Sequence, residues 1–484
     1  MKTEVKTESP LRFYLRILLV SIFIALIGLA PTPHAAGALL VKAYQSALTG
    51  DLLNAAQNLV DVANYYPWRV ELNLEAARYA SQAGNPKAAI QYFERPGTVS
   101  HLTTNDLIML GDAYNQSGNS PIAEAIWKHV IQLGDSSQAY QRLADLFLKQ
   151  KDYASAVNYL QKLLYLNPSD VNLYYQIGLL YAVTDPVKAL PFLIQAAEID
   201  PAKASLAQAL HDKIRTSNLF EEPAYTFLII GRQLANWGDW EMASVAFQRA
   251  VSLKPGYSDA WAFLGEARQQ IILQETGSVS DAGLPELELA VQLDGNSILA
   301  NTLMGFHWER QEDYPQAQQY LEHAIASSPN DPYLYSELGN ILSKAGDLPA
   351  AQSAYESAIQ LTPQDPLFYR LLAEFAMQNQ IQIRELALPA ARQAIILNPL
   401  DASSLDVMAQ VMLMLQDYHS AERYSLSAIK ADPKFTPAYL HLGTAYLYLG
   451  ESDLAHQWLG LAKTVDPESW AAAQAARMLA YYFP

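Results

Sequence analysis

The side chains that could carry acid–base, nucleophilic or metal chemistry are scattered along the sequence of 484 residues. The nine histidines form no His-Glu-x-x-His motif, and no two of them stand at a metal-ligand spacing. His323, His419 and His456 are predicted to be exposed polar side chains. The patterns G-x-G-x-x-G, the P-loop and G-x-S-x-G are also missing. We therefore expect no catalytic residue, no metal site, no cofactor and no enzymatic activity.

Composition narrows the classes of function further. The sequence contains no cysteine, which excludes disulfides, thiolate metal sites and a cysteine nucleophile. Its formal net charge of -17 argues against binding to nucleic acid or to an anionic membrane surface. An enzyme would need a pair of carboxylates in which one group has a raised pKa, and the sequence alone points to no such pair.

One pattern of apolar and small residues organises most of the chain. It is clearest in residues 437–467, which contain Tyr439, Leu442, Gly443, Tyr446, Ala455, Leu459, Ala462 and Pro467. Spacings of three and four residues predict one apolar stripe on each of two helices, joined by a turn at Gly450. Small side chains at 443 and 455 allow the two helices to cross closely, and Pro467 ends the second helix.

This pattern resembles the tetratricopeptide repeat, W-x2-L-G-x2-Y followed by A-x3-F and P over about 34 residues. The small residue of the first helix recurs at Ala43, Ala76, Gly111, Ala144, Gly178, Gly231, Gly265, Gly305, Gly339, Ala373, Ala409 and Gly443. The resemblance implies an all-α fold, a right-handed α-solenoid superhelix of about twelve helix-turn-helix repeats.

The register of the repeats predicts the organisation of the chain. Residues 36–201 form an N-terminal arm of repeats one to five, and residues 224–467 form a C-terminal arm of repeats six to twelve. Between them, residues 202–223 break the register and are predicted to be an extra helix or linker. Residues 468–484 are predicted to be a capping helix. Repeat seven carries an insertion around residues 276–280 that is predicted to be a loop. No stretch outside the repeats has room for a catalytic domain.

The N-terminal segment, residues 1–33, is predicted to be a cytosolic tail and an uncleaved signal-anchor helix. Ile17–Ala30 is almost entirely apolar, and a helix that begins near Leu11 reaches the length of about 20 residues that a membrane span needs. Because Arg12 and Arg16 precede the apolar run, we expect a cytosolic N-terminus and repeats outside the cytoplasm. The alternative is a signal cleaved at residues 36–38, which gives a secreted or periplasmic protein.

In the tetratricopeptide repeat family the first helices line a concave groove that holds peptide segments. Carried onto this chain, the groove positions give Asn105, Asp112, Asn115, Gln141, Asp145, Tyr175, Tyr225, Arg232, Glu266, Tyr333, Asn340, Arg370 and Glu374. The family's carboxylate clamp of lysine, asparagine and arginine is absent, so a basic or polar extended partner fits better.

The resemblance and the predicted anchor together imply a membrane-anchored, non-enzymatic scaffold for other proteins in envelope assembly or export. This step from fold to function is an analogy, since a fold alone does not imply a function. The alternative is an accessory subunit of a glycan synthesis or export system, in which Tyr175, Tyr225 and Tyr333 stack against carbohydrate. Binding to nucleic acid is not expected.

Overall fold

The computed structural model of the chain describes residues 14, 17–22, 34–199 and 201–483. Throughout these ranges the regular structure is helical and contains no strand, which confirms the predicted all-α class. No helix within them combines the length and the apolar character that crossing a membrane requires. The predicted anchor in residues 1–33 falls mostly outside the described residues and stays a prediction.

Contacts between Cα atoms divide the chain into two compact units, with the division between His211 and Asp212. The described part of the first unit contains five helical hairpins. They are α1 (His34–Leu48) with α2 (Leu52–Tyr65), α3 (Val70–Gln82) with α4 (Pro86–Phe93), α5 (Thr104–Gln116) with α6 (Ser120–Leu133), α7 (Ser137–Lys149) with α8 (Tyr153–Leu166), and α9 (Val171–Thr184) with α10 (Pro186–Ile199). Helix α11 (Pro201–Asn218) follows and contains the division between the units.

The second unit continues with seven hairpins and a last helix in its described residues. They are α12 (Pro223–Asn236) with α13 (Trp240–Leu253), α14 (Ser258–Thr276) with α15 (Leu284–Leu293), α16 (Ile298–Arg310) with α17 (Tyr314–Ser327), α18 (Pro332–Ala345) with α19 (Leu348–Leu361), α20 (Pro366–Gln378) with α21 (Leu388–Leu397), α22 (Ala402–Met414) with α23 (Tyr418–Ala431), α24 (Thr436–Leu449) with α25 (Ser452–Val465), and α26 (Trp470–Tyr482). Helix α12 begins at Pro223, with Glu222 at the N-cap. The two arms drawn from the register stay a prediction.

The turn inside most hairpins is short because one residue takes a left-handed conformation and the next begins or caps the second helix. Gly346, with φ of 85°, precedes Asp347, whose carboxylate accepts a hydrogen bond of 3.1 Å from the backbone N–H of Ala350. Lys151, with φ of 60°, precedes Asp152 in the same arrangement. An acidic N-cap satisfies a backbone donor and complements the positive end of the helix dipole.

The two helices of a hairpin cross where the small residue of the first helix faces a large side chain of the second. A Cβ atom added at Gly111 would lie 2.4 Å from Trp127 Nε1, and one at Gly231 would lie 2.4 Å from Phe247 Cε1. Both aromatic side chains are fully buried. The glycines therefore set the distance between the paired helices, as the repeat pattern predicts.

Two hairpins of the second unit depart from the regular pattern. In repeat seven, residues 277–283 form the predicted loop between α14 and α15, and Gly283 packs against the backbone of Gly265. In repeat ten, a π-helix at Ile383–Ala387 precedes α21 and follows two left-handed residues, Gln380 and Gln382. Both departures accommodate extra residues without separating the paired helices.

Candidate partner-binding face

The candidate site is the surface formed by the first helices of the hairpins, which we call the first-helix face. In the first unit these helices are α1, α3, α5, α7 and α9, and in the second unit they are α12, α14, α16, α18, α20, α22 and α24. Every residue that the sequence assigned to the groove lies on one of these helices. Their roles in partner binding stay predictions, and the structure shows what each side chain touches.

In the first unit, the predicted residues are mostly engaged with neighbouring side chains. Asp112 accepts hydrogen bonds of 2.8 and 3.1 Å from Arg142 on the next first helix. Asn115 accepts a bond of 2.9 Å from Ser120, and Gln141 donates a bond of 2.8 Å to Asp145. These bonds hold the polar groups in place and reduce their freedom to reach a partner.

Two other groove positions of this unit differ in their exposure, and a cavity lies beside a third. Asn105 is exposed and Tyr175 is partly buried. A cavity of about 170 Å³ borders Asp112. It is lined by Ser81, Gln82, Pro86, Met109, Asp112, Ala113 and Gln116.

In the second unit, three predicted residues bind the adjacent hairpin instead of facing solvent. Glu266 is buried and accepts bonds of 3.2 and 2.7 Å from the guanidinium of Arg310. Asn340 donates a bond of 3.1 Å to Glu309. Arg370 donates a bond of 3.1 Å to Asp401, the N-cap of α22. The sequence pattern did not reveal these pairings, because their members are far apart along the chain.

These contacts belong to a series that links successive first helices, which we call the polar seam. Its other members include the pairs Arg78–Asp106, Lys344–Glu309 and His441–Asp406. Burial raises the pKa of Asp106, but hydrogen bonds from Arg78 and Thr103 outweigh burial and hold that pKa below its usual value.

The remaining predicted residues combine an aromatic or charged group with an apolar neighbour. Tyr333 is 56% exposed and lies edge-on to Phe368, with ring centroids 5.3 Å apart. Tyr225 meets Phe220 in the same geometry at 5.3 Å. The exposed guanidinium of Arg232 lies 5.5 Å from the ring centroid of Phe263. Of the three predicted tyrosines, Tyr333 has the most exposed side chain.

Two carboxylates on this face differ from the rest of the seam. Glu337 and Glu374 are partly buried, and neither has a hydrogen bond to another residue that the structure describes. Burial raises the pKa of Glu337, and the nearby Glu309 raises it further. Burial likewise raises the pKa of Glu374, with Arg370 opposing and Asp406 reinforcing the shift. Glu374 was predicted as a groove residue, whereas Glu337 was missed because it falls beside the usual groove positions.

The pairs Glu374 with Asp406 and Glu337 with Glu309 are the carboxylate pairs that the sequence did not reveal. In each pair one member is held by other side chains. Asp406 contacts His441 at 2.7 Å, and Glu309 accepts a bond of 2.6 Å from Lys344. Within the ranges that the structure describes, no three or more His, Asp or Glu side chains come together as a metal site would require.

Comparison with protein families matches two parts of the chain to the tetratricopeptide repeat. The matched segments are residues 137–170 and residues 310–375. Both segments lie within the hairpins described above and contain their small-residue crossings. The chain therefore contains tetratricopeptide repeats in these two segments. A comparison with curated proteins gave no match.

Several solved structures resemble this tetratricopeptide repeat protein. Yeast Tom70 is 15% identical and has a TM-score of 0.44, over 92% of this chain and 95% of Tom70. The Cut9–Hcn1 heterotetramer of the APC/C is 12% identical with a TM-score of 0.40, over 94% of this chain and 97% of the other. YrrB, described as having an unusual peptide-binding site, is 16% identical with a TM-score of 0.29, over 40% of this chain and 97% of YrrB.

Proposed function

We propose that this protein is a non-enzymatic scaffold whose first-helix face in the second unit binds an extended, positively charged segment of another protein. The presence of tetratricopeptide repeats supports a role in protein–protein interaction. The observation that carries the charge preference is the pair Glu337 and Glu374. Each is a partly buried carboxylate without a hydrogen-bond donor among the described residues.

The preference for a basic segment follows from the cost of burying a carboxylate to which no cation is hydrogen-bonded. Lys344 near Glu337 and Arg370 near Glu374 lower the pKa of these groups, but burial outweighs them. Burial and nearby acidic groups raise the pKa of both carboxyl groups, so their ionised forms are less stable than those of exposed carboxylates. A lysine or arginine side chain placed against either carboxylate would supply a hydrogen-bonded counter-charge. An acidic segment would add to the repulsion.

Peptide binding tests this proposal directly. Extended peptides of equal length that are rich in lysine, in glutamate or in uncharged polar residues are titrated against the full chain, with fluorescence anisotropy as the readout. We expect the basic peptide to bind most tightly and its affinity to fall with salt. Equal affinity for the acidic peptide would contradict the proposal.

A double variant identifies the site. Replacing Glu337 and Glu374 by glutamine should weaken binding of the basic peptide by roughly tenfold, which corresponds to about 1.4 kcal/mol. The matched control replaces Glu322 and Glu356 by glutamine, which removes the same charge from second helices. An equal loss in the control would show that net charge, and not this face, governs binding.

A second candidate function, carbohydrate binding, follows from the side chain of Tyr333, which is 56% exposed. An exposed aromatic ring can stack against a sugar, as an accessory subunit of a glycan system would require. A glycan array tests this candidate with Tyr333→Ala as the variant and Tyr165→Ala as the control, because Tyr165 is 82% exposed on a second helix. Glycan binding that Tyr333→Ala abolishes and Tyr165→Ala preserves would favour it.

We also propose that residues 11–30 anchor the protein in a membrane with its repeats outside the cytoplasm, where it acts in envelope assembly or export. The apolar run after Arg12 and Arg16 supports this part of the proposal. The intact mass of the membrane-extracted protein should include residues 1–33. A mass that lacks them would support cleavage and release, the alternative for this segment.

A further inference from the structure

The insertion of repeat seven covers a histidine that has no hydrogen-bond partner. His307 is on α16 and is 0% exposed. Neither ring nitrogen has a hydrogen bond within the part of the chain that the structure describes. The nearest charged atom to Nε2 is Asp281 Oδ1 at 3.9 Å, and Asp281 belongs to the loop 277–283. The loop therefore closes over one edge of the imidazole.

The loop is attached to the rest of the second unit at few points. Asp281 accepts a hydrogen bond of 2.8 Å from Gln311, and its own side chain is 76% exposed. Gly283 has a φ of +85° and lies against the carbonyl of Gly265. Residues 277–279 are exposed. Segments with little buried surface and few hydrogen bonds open most easily, so this loop is the cover of His307 that can move.

Burial and the charged groups around His307 together favour its neutral form. Burial lowers the pKa of His307, and Arg310 on the same helix lowers it further. Asp281 in the loop, Glu266 on α14 and Glu288 on α15 oppose this shift without reversing it. The imidazole and the indole of Trp308 pack in a T-shaped arrangement, with ring centroids 4.9 Å apart. The indole N–H is a donor only, so Trp308 offers no hydrogen-bond acceptor to the imidazole.

We propose that the loop 277–283 is a latch that acid releases, because its closed position requires a neutral His307. When the imidazole gains a proton, water must reach it, and opening the loop provides that access. The latch makes the surface around Gly265 accessible at mildly acidic pH and keeps it covered at neutral pH. This inference does not depend on which partner the first-helix face binds.

The direction of the effect follows from proton linkage. In the open state His307 is hydrated and titrates near its ordinary value of about 6.5. In the closed state its pKa is lower, so the open state binds more protons as the pH falls. The closed state keeps its full stability above about pH 6.5 and loses it below that value. Between pH 7.5 and 5.5 the open population should rise, and the open-state pKa limits this rise to about tenfold.

Hydrogen–deuterium exchange of the full chain at pH 7.5 and 5.5 tests the latch. After correction for the intrinsic rate, exchange of the amides in residues 277–287 should rise at pH 5.5, by up to about tenfold. The turn at Gly346 and Asp347, which no histidine covers, should show no such rise. Slower exchange of the loop at pH 5.5 would overturn the proposal, since it would mean that a His307–Asp281 ion pair stabilises the closed loop. Unchanged exchange would also overturn it, since protonation of His307 would then not be coupled to opening.

Two variants and one control identify the group that titrates. His307→Gln should remove the pH dependence of loop exchange, whereas His323→Gln, which changes an exposed histidine, should retain it. Asp281→Asn provides a second test should His307→Gln fail to fold. It keeps His307 and removes a carboxylate that favours the imidazolium, so release by acid should be equal or greater. Loss of the response in Asp281→Asn would contradict the proposal.

Discussion

The crossing inside a hairpin and the polar seam between hairpins hold the same helices together by different means. At the crossing in repeat six, Gly231 meets the fully buried ring of Phe247. At the seam between repeats seven and eight, Arg310 binds buried Glu266 through two hydrogen bonds. The crossing depends on shape and excluded volume, and the seam depends on compensated charge. Disruption of the two regions should therefore differ in magnitude and in its dependence on pH.

Breaking the seam should have the largest effect on stability. Arg310→Met leaves Glu266 buried without its cation, and removal of one member of a buried pair costs about 3 kcal/mol. Urea denaturation followed by circular dichroism measures the loss. Arg69→Met is the matched control, because the pair Arg69–Glu71 is exposed and contributes roughly 0–1 kcal/mol. Equal losses in the two variants would mean that burial does not distinguish the seam.

Overpacking the crossing should have the next largest effect. Gly231→Ala places a Cβ atom 2.4 Å from Phe247 Cε1, and such a clash in a packed core costs about 1–3 kcal/mol. Gly460→Ala is the control, since nothing lies within 4 Å of that Cβ position in α25. Alanine there should stabilise the helix by about 0.5–1 kcal/mol. The same denaturation measurement applies, and a stabilised Gly231→Ala protein would refute the packing argument.

The seam should also respond to acid, while the crossing should not. The pKa of Asp106 is held below its usual value, so its contribution is complete above pH 4 or so and is lost as the pH falls through the lower value. Asp106→Asn should cost about 1–2 kcal/mol at neutral pH and progressively less as the pH falls below about 4. Stability measured across this range checks the sign. A cost that is constant with pH would show that the charge of Asp106 is not what matters.

The smallest effect should come from the turns that precede the second helices. Lys151 and Glu312 take the left-handed conformation that Gly346 and Gly450 take elsewhere. Because a Cβ atom disfavours this conformation, Lys151→Gly should stabilise the protein by about 0.5–1 kcal/mol. The converse change, Gly346→Lys, should destabilise it by a similar amount, as measured by the shift of the denaturation midpoint. If both changes destabilise the protein, the lysine side chain makes a contribution that its backbone conformation does not explain.

The hairpins could be predicted because their contacts are local. The spacing of Tyr439, Leu442 and Gly443 predicts a helix with one apolar stripe, and the same spacing recurs along the chain. Repeat ten shows the limit of this approach. The structure has a π-helix there at Ile383–Ala387, which the repeat pattern did not indicate. Local propensity does not distinguish a π-helix from a longer loop.

The candidate site could be predicted only by helix and position. The family pattern placed Glu266 and Arg370 on first helices, but it did not reveal that each binds an adjacent hairpin. It also missed Glu337 and His307. Neither residue has a distinguishing neighbour in the sequence, because the groups that shift its pKa come from several helices.

By itself the sequence determined the all-α class, the helical hairpin and the small residue at each crossing, since these depend on contacts within one repeat. The tertiary structure decided which carboxylates are neutralised by the next hairpin and which remain without a donor. It also decided that a loop covers His307. Burial and electrostatics arise from residues that are far apart along the chain, as in the pair Arg310–Glu266 at 44 positions, and no short pattern records them.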